Sequence, residues 1–359
     1  MDIHVQPKLV AEKAATGVKH VVRLYDPRTW KQKGVLWTAG LALLTYAVIV
    51  ILLGIYWSFD PGFFDVREHA LKKAEGDESK LVTGYTTTGT VIGVAEVLLH
   101  KPGGYLSNDL TPPGIYLDNM PNWEFGVLTQ VRDIARALRN DFSRSQTQSV
   151  EDKDLVVVDP QFHYDSESWI LPATESEYKK GLAALYRYLD RLADEKADDG
   201  QFYARADNLA TYLDLARKRL GSFTQRLATS IGRERLDLDL AGEPLATRST
   251  PVPEVRVVQT PWLQIDDVFY EARGYTWALL HVLEALAIDF ESVLKRKNAQ
   301  VSFQQVIREL QAASARMWSP IVLNGTGYGL LANHSLVKAS YLASASAAIG
   351  DLVILLRQG

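Results

Sequence analysis

The chain has 359 residues, with 39 Lys+Arg against 43 Asp+Glu for a net charge of −4, and no cysteine. The missing thiols exclude disulfides, thiolate metal sites and cysteine nucleophiles together, and are compatible with an oxidising compartment. Residues 1–33 hold seven basic and three acidic side chains, a net +4, so the remainder carries −8, and an acidic body argues against nucleic acid as a partner.

From Gly34 to Phe59 no residue is charged, and a helix of that length, at about 1.5 Å per residue, exceeds the roughly 30 Å hydrocarbon core of a bilayer. A secretory signal has a shorter apolar region ending in a small-x-small cleavage site, whereas this run ends in Tyr56-Trp57-Ser58-Phe59, so it reads as uncleaved. Only Thr38, Thr45 and Tyr46 interrupt its apolar surface, unlike a core helix of a soluble domain. Lys8, Lys13, Lys19, Arg23, Arg28, Lys31 and Lys33 precede it, and the first basic residue beyond is Arg67, behind Asp60 and Asp65. The positive-inside rule therefore puts the N-terminus in the cytoplasm and the bulk outside it. Trp37, Tyr56 and Trp57 fall at the interfacial levels where amphipathic rings settle. The expectation is a basic cytoplasmic leader at 1–33 and a transmembrane signal-anchor helix at 34–59. The leader would lie beside anionic headgroups, but reads more simply as a topology signal.

Beyond the anchor, residues 65–80 read as a short connecting helix, and 86–100 as a helix opened by a threonine cap and stopped before Lys-Pro-Gly-Gly. Three prolines and three glycines make 103–123 an ordered loop. Phe125, Leu128, Val131, Ala135, Leu138 and Phe142 recur at helical spacing. The polar stretch 143–155 follows, and Val156-Val-Val-Asp-Pro160 reads as a short strand or extended connector. A capping box, Thr174 and Glu177, predicts a helix to about Lys196, and 201–232 predicts a longer one interrupted near Gly221.

Four prolines mark a crossover at 242–263, separating a first helical lobe, 60–241, from a C-terminal lobe, 264–359. That lobe opens with a helix running to Lys297. A second capping box, Ser302 and Gln305, starts the next, which Pro320 closes, and a glycine-rich loop at 325–335 precedes a final helix to Leu356. The fold class is mainly α: a helical bundle behind an N-terminal transmembrane helix.

Several constellations have the residue types of chemical sites. Asp267 and Glu271 lie one helical turn apart and are candidate metal ligands, with His281-x-x-Glu284 downstream; this reverses the Glu-x-x-His order of di-iron bundles, so capping by Asp266 and Asp267 is the favoured reading. No metal or cofactor is expected. Ser335-Leu-Val-Lys338 matches the Ser-x-x-Lys pair of penicillin-binding proteins, and Ser107-Asn108-Asp109 is similar to their second motif. The motif order is inverted and Lys-Thr-Gly is absent, so Ser335, Lys338 and the adjacent His334 are weak catalytic candidates. Gly325-Thr-Gly-Tyr-Gly329 lacks the lysine of a phosphate loop, and Asn333-His334-Ser335 reads mainly as a helix cap. Ala343 and Ala347 form a small-residue edge on the last helix, where Asp351 favours packing in the bundle over a second span.

The phrases NWEFGVLTQVRDIARALRNDFSRSQTQSVEDKDL, QFYARADNLATYLDLARKRLGSFTQRL, TPWLQIDDVFYEARGYTWALLHVLEA and WSPIVLNGTGYGLLANHSLVKASY resemble a family of single-pass proteobacterial inner-membrane proteins classed as a domain of unknown function, number 2333. The resemblance implies a Gram-negative inner membrane and a periplasmic body, and carries no activity or catalytic residue. The resulting expectation is a non-enzymatic scaffold or adaptor that binds another envelope protein. Connectors on a rigid scaffold commonly carry recognition, which makes Arg144, Asp152, Asp154, Asn324 and Asn333 the candidate contact residues. The alternatives are a periplasmic hydrolase or transferase acting on cell wall or lipid, and a carrier of an apolar ligand within the bundle.

Overall fold

The computed structural model describes residue 19 and residues 23–145, 150–194, 199–236 and 255–358. It comprises two compact units, Met1–Trp57 and Ser58–Gly359. In the first, α1 (Pro27–Lys33) starts at Asp26, whose carboxylate accepts the Arg28 N–H at 2.8 Å, and stops at Gly34, where φ is +85°. The second helix, α2 (Val35–Trp57), has 23 residues, no charge and no buried side chain. It is long and apolar enough to cross a membrane. The basic leader up to residue 18 lies outside the described residues.

The second unit holds ten helices among the described residues: α3 (Val66–Lys73), α4 (Tyr85–His100), α5 (Asn119–Ala137), α6 (Leu155–Phe162), α7 (Thr174–Ala193), α8 (Ala206–Ala228), α9 (Ile265–Asp289), α10 (Glu291–Arg296), α11 (Gln300–Ala313) and α12 (His334–Arg357). Strands β1 (Arg233–Leu236) and β2 (Val255–Val258) form an antiparallel ribbon with Arg233 opposite Val258. Most of the proline-rich crossover, 242–254, lies outside the described residues.

At the centre α5 and α9 run in the same direction. Asn122 donates to Asp267 at 2.8 Å near their starts, and the Phe142 and Phe290 rings lie 5.5 Å apart just past their ends. Close approach is permitted by glycines: a Cβ at Gly126 would collide with the Glu271 carbonyl, and one at Gly274 with the Trp123 carbonyl. Antiparallel to this pair lies α8, tied by Asn208 to the Asp141 carbonyl (2.8 Å) and by Arg226 to Glu271. The last helix, α12, packs its Leu342, Ala345, Ile349 and Leu352 side inward; Ser346 donates to the Arg217 carbonyl of α8 and Lys338 to the Ala313 carbonyl of α11. Helices on both sides of the crossover thus share one core.

Several local expectations change. Residues 155–162 form α6 rather than a strand. Asp152 accepts from the N–H groups of Asp154 and Leu155 at its start, and Leu155, Val158 and Phe162 are buried. Here packing overrides the β-propensity of three valines. Thr174 does not cap α7: its hydroxyl bonds the Asp165 and Ser168 carbonyls (2.8 and 2.9 Å) and clamps the preceding loop. Ser302 lies inside α11, which begins at Gln300, and the position before α9 is held by Gln264, which makes no side-chain capping bond, with Asp266 and Asp267 inside the first turn. The threonine-capped start of α4 is satisfied from a distance, since Asp289 accepts from both the N–H and the hydroxyl of Thr87, at 2.7 and 2.6 Å. At Phe290 the long C-terminal helix breaks into α9 and α10, while α8 continues unbroken through Gly221.

One end of the body, the loop end, gathers the starts of α5, α7, α9 and α12 and the finishes of α4, α8 and α11.

The glycines test the central crossing. Gly274→Ala is expected to cost about 3 kcal/mol, the upper part of the overpacking range, because backbone rather than a movable side chain stands in the way. Gly221→Ala, with nothing within 4 Å of the added carbon, is expected to stabilise by about 0.5–1 kcal/mol through helix propensity. Chemical denaturation in detergent measures both; equal effects would refute the close crossing.

Candidate functional site

The loop end contains most of the sequence-level candidates. A buried ion pair organises it: Lys101 and Glu124 are both wholly inaccessible, 2.5 Å apart. Glu124 also accepts the N–H groups of Leu106 and Ser107, each at 2.8 Å, while the Lys101 amine donates to the Gly104 carbonyl. Burial pushes the Glu124 carboxyl up and Lys101 opposes it. One carboxylate from α5 thereby fixes the connector after α4. Sequence periodicity gives no hint of this, because Glu124 sits between Trp123 and Phe125 as an ordinary charged helix residue.

Ser335 and Lys338 are both buried on α12. The Lys338 amine donates to the Ala313 carbonyl at 2.9 Å and lies 5.6 Å over the Phe269 ring. Burial, reinforced by the Arg273 charge and opposed by Asp60, pushes its pKa down to about 7. The Ser335 hydroxyl has no hydrogen-bond partner among the described residues. His334 accepts the Leu323 N–H through Nδ1 at 3.1 Å and donates its own N–H to the Leu323 carbonyl, acting as a structural connector. These three residues are neighbours in sequence, but no hydrogen bond joins them into a relay.

Asp267 and Glu271 are separately engaged. Asp267 accepts from Asn122, and both oxygens of Glu271 accept from the Arg226 guanidinium, at 2.8 and 2.5 Å. His281 is buried, its Nδ1 bonded to the Trp277 carbonyl (2.7 Å) and its Nε2 accepting the Phe64 N–H (3.2 Å). Burial lowers its pKa to about 4, so it is neutral and pins the segment that enters the body to α9.

The contact residues expected from sequence fall into two separated groups. Asp152 and Asp154 accept from Arg191 near the end of α7, and Asp154 also from Arg187; Arg144 pairs with Glu151 at 3.9 Å. Residues 146–149 of that segment lie outside the described residues. Asn324 and Asn333 sit instead at the loop end and bond each other at 2.9 Å; Asn333 donates to the Gly325 carbonyl and caps α12 by accepting the Leu336 N–H at 2.8 Å. They staple the base of a loop whose tip holds Tyr328 and Leu330, both fully exposed. The exposed side chains are therefore those between the two asparagines. A lateral groove of about 500 Å³ between α8 and α12 is lined by Arg217, Gly221, Gln225, Ala343, Ser346 and Ala347 among others.

An uncharged helix with exposed apolar side chains, followed by a mainly helical body with a buried Lys101–Glu124 ion pair, defines the class: a mainly α protein carrying a candidate membrane-crossing segment. The chain belongs to the family described as an uncharacterised protein conserved in bacteria (DUF2333), which it matches over residues 30–359. Comparison with curated proteins and with solved structures gives no match.

Lys338 sets a pH dependence. Above pH 7 the folded protein holds this amine neutral while the unfolded chain still binds its proton, so stability rises with pH, by at most about 1.4 kcal/mol per unit. Unfolding in detergent at pH 7 and 9 is expected to show that rise in the wild type. Lys338→Met is expected to lack it and to be more stable at pH 7; parallel slopes in the two proteins would exclude the buried amine as the cause.

Proposed function

We propose that this protein is a single-span, inner-membrane-anchored scaffold or adaptor of the bacterial envelope, with a cytoplasmic N-terminus and a periplasmic helical body. The observation that carries this reading is α2: 23 residues without a charge or a buried side chain, with Arg23, Arg28, Lys31 and Lys33 before it and Asp60 and Asp65 as the first charges after it. Spanning removes that apolar surface from water, and the charge asymmetry sets its direction.

A non-enzymatic role is supported by the engagement of three candidate side chains in structure: Lys338 on a helix-end carbonyl, His334 on the Leu323 backbone and Glu271 on Arg226, which leaves Ser335 without a base bonded to it among the described residues. The lateral groove between α8 and α12 supports a protein partner, since small residues allow an added helix to approach closely.

Because the chain has no cysteine, introduced cysteines report unambiguously. A membrane-impermeant maleimide applied to spheroplasts is expected to label Val301→Cys at once and Lys19→Cys only after lysis; the opposite pattern overturns the topology. A photo-crosslinking side chain at Ser346 is expected to trap one envelope protein reproducibly in cells, and Ala347→Trp to abolish the adduct. An empty groove in cells with correct topology would remove the adaptor reading.

A further inference from the structure

We propose that the loop end of the body rests on the phospholipid bilayer, seating its exposed aromatic and aliphatic side chains among the headgroups. The inference rests on the reading of α2 as a membrane span, and adds a second, non-spanning contact with the same membrane.

The distribution of tryptophan carries it. Of the five tryptophans beyond α2, Trp123 and Trp277 are buried in the core, and Trp169, Trp262 and Trp318 are 57%, 78% and 82% exposed. Each exposed one lies in a connector at the loop end: Trp169 ahead of α7, Trp262 ahead of α9 and Trp318 after α11. Tyr116 ahead of α5, and Tyr328 and Leu330 ahead of α12, are exposed at the same end. At the opposite end the large exposed apolar residues are aliphatic, among them Val150, Val301 and Ile354. Residues 317–333, most of the connector between α11 and α12, include no charged side chain, the one charge in that connector being Arg316 at its start. Tryptophan and tyrosine, part apolar and part hydrogen-bonding, settle at the membrane–water boundary, and an exposed apolar surface spread over several connectors marks an interaction face.

Chain connectivity selects lipid as the occupant. Asp60 comes three residues after Trp57, the last residue of α2, a stretch that spans about 10 Å at most. Asp60 is ion-paired with Arg273, and Arg273 also donates to the Ala315 carbonyl at 3.1 Å. Trp318 is three residues further along. Two short tethers and one side-chain bridge thus keep the start of residues 317–333 near the point where the chain leaves the span, whatever direction α2 takes. Arg316 stacks 4.5 Å over the Trp318 ring, a basic group suited to headgroup phosphate at the rim of an inserted aromatic. Asp118, Asp266 and Asp267 lie at the same end, so the attraction is apolar and is expected to persist in high salt.

The test uses the full chain, bearing one nitroxide-labelled cysteine at a time, reconstituted into phosphatidylethanolamine–phosphatidylglycerol vesicles. Accessibility to oxygen is compared with accessibility to a water-soluble nickel chelate. Labels at Trp262, Trp318 and Leu330 are expected to shift toward oxygen, as at Ile49 in α2, while Val301 favours nickel. Leu330→Glu, at a fully exposed position, is expected to shift the Trp318 label back toward nickel. If the three loop labels behave like Val301 while Ile49 favours oxygen, docking is wrong and the span stands. If Ile49 itself favours nickel, the span fails and docking fails with it. Loop labels shielded from both reagents would mean that protein covers this end, which overturns the lipid contact.

Discussion

The crossing of α5 and α9 through Gly126 and Gly274 is the constraint on which the rest of the body depends. Two parallel helices whose backbones meet directly cannot slide, because a shift by one residue would drive a side chain into a carbonyl of the partner. With their register fixed, the Trp123 and Trp277 rings meet at a tilt with centroids 5.3 Å apart, Asn122 reaches Asp267, and Phe142 meets Phe290. Parallel direction in turn sends both N-termini to one end, and α7 and α12 follow. The concentration of connectors at the loop end is thus a topological result of one glycine-mediated contact.

Buried charges then tie the connectors to this frame. Glu124 with Lys101 holds the segment after α4, Asp133 accepts both Arg219 donors at 2.9 and 3.0 Å across α5 and α8, and Asp289 caps α4. Ion pairs of this kind contribute little net stability against an apolar alternative, but leaving one partner alone in the core is expensive. We read them as devices that reject wrong loop and helix pairings. Asp289 illustrates the balance: burial raises its pKa to about 6, while the two hydrogen bonds from Thr87 act against that rise.

The helices were legible in the sequence wherever one face is apolar, as in α5, α7 and α8, because the 3.6-residue period records burial directly. Helix termini were less legible. Thr174 and Ser302 carry the capping-box pattern, yet Thr174 is drawn away by the Asp165 and Ser168 carbonyls and Ser302 falls within α11. Conversely, the cap of α4 comes from Asp289, 202 residues beyond Thr87, which no local pattern contains. At the candidate site, Asn333 was readable as a cap because that bond is local. Lys338 was not readable as a buried amine, since its burial depends on Phe269 and the end of α11. The exposed aromatic residues are visible as letters, but which tryptophans face outward is decided only when Trp123 and Trp277 take the core positions.

Net charge makes the composition of the loop end intelligible under the membrane reading. Outside the leader the chain carries −8, and an anionic leaflet repels such a body over roughly a Debye length, about 8 Å at physiological salt. If α2 spans as proposed, only Ser58 and Phe59 separate its last residue, Trp57, from Asp60 of the body. On the proposed bilayer contact, the absence of charge from residues 317–333 would lower that repulsion, and the exposed tryptophan and tyrosine would supply a favourable interfacial contact. Three of the acidic residues at this end are drawn onto partners within the body: Asp267 onto Asn122, Glu271 onto Arg226 and Asp60 onto Arg273, while Asp118 stays exposed. The same three contacts hold α5, α8 and the entering chain to α9, so the charge management of this face and the packing of the core rest on one helix.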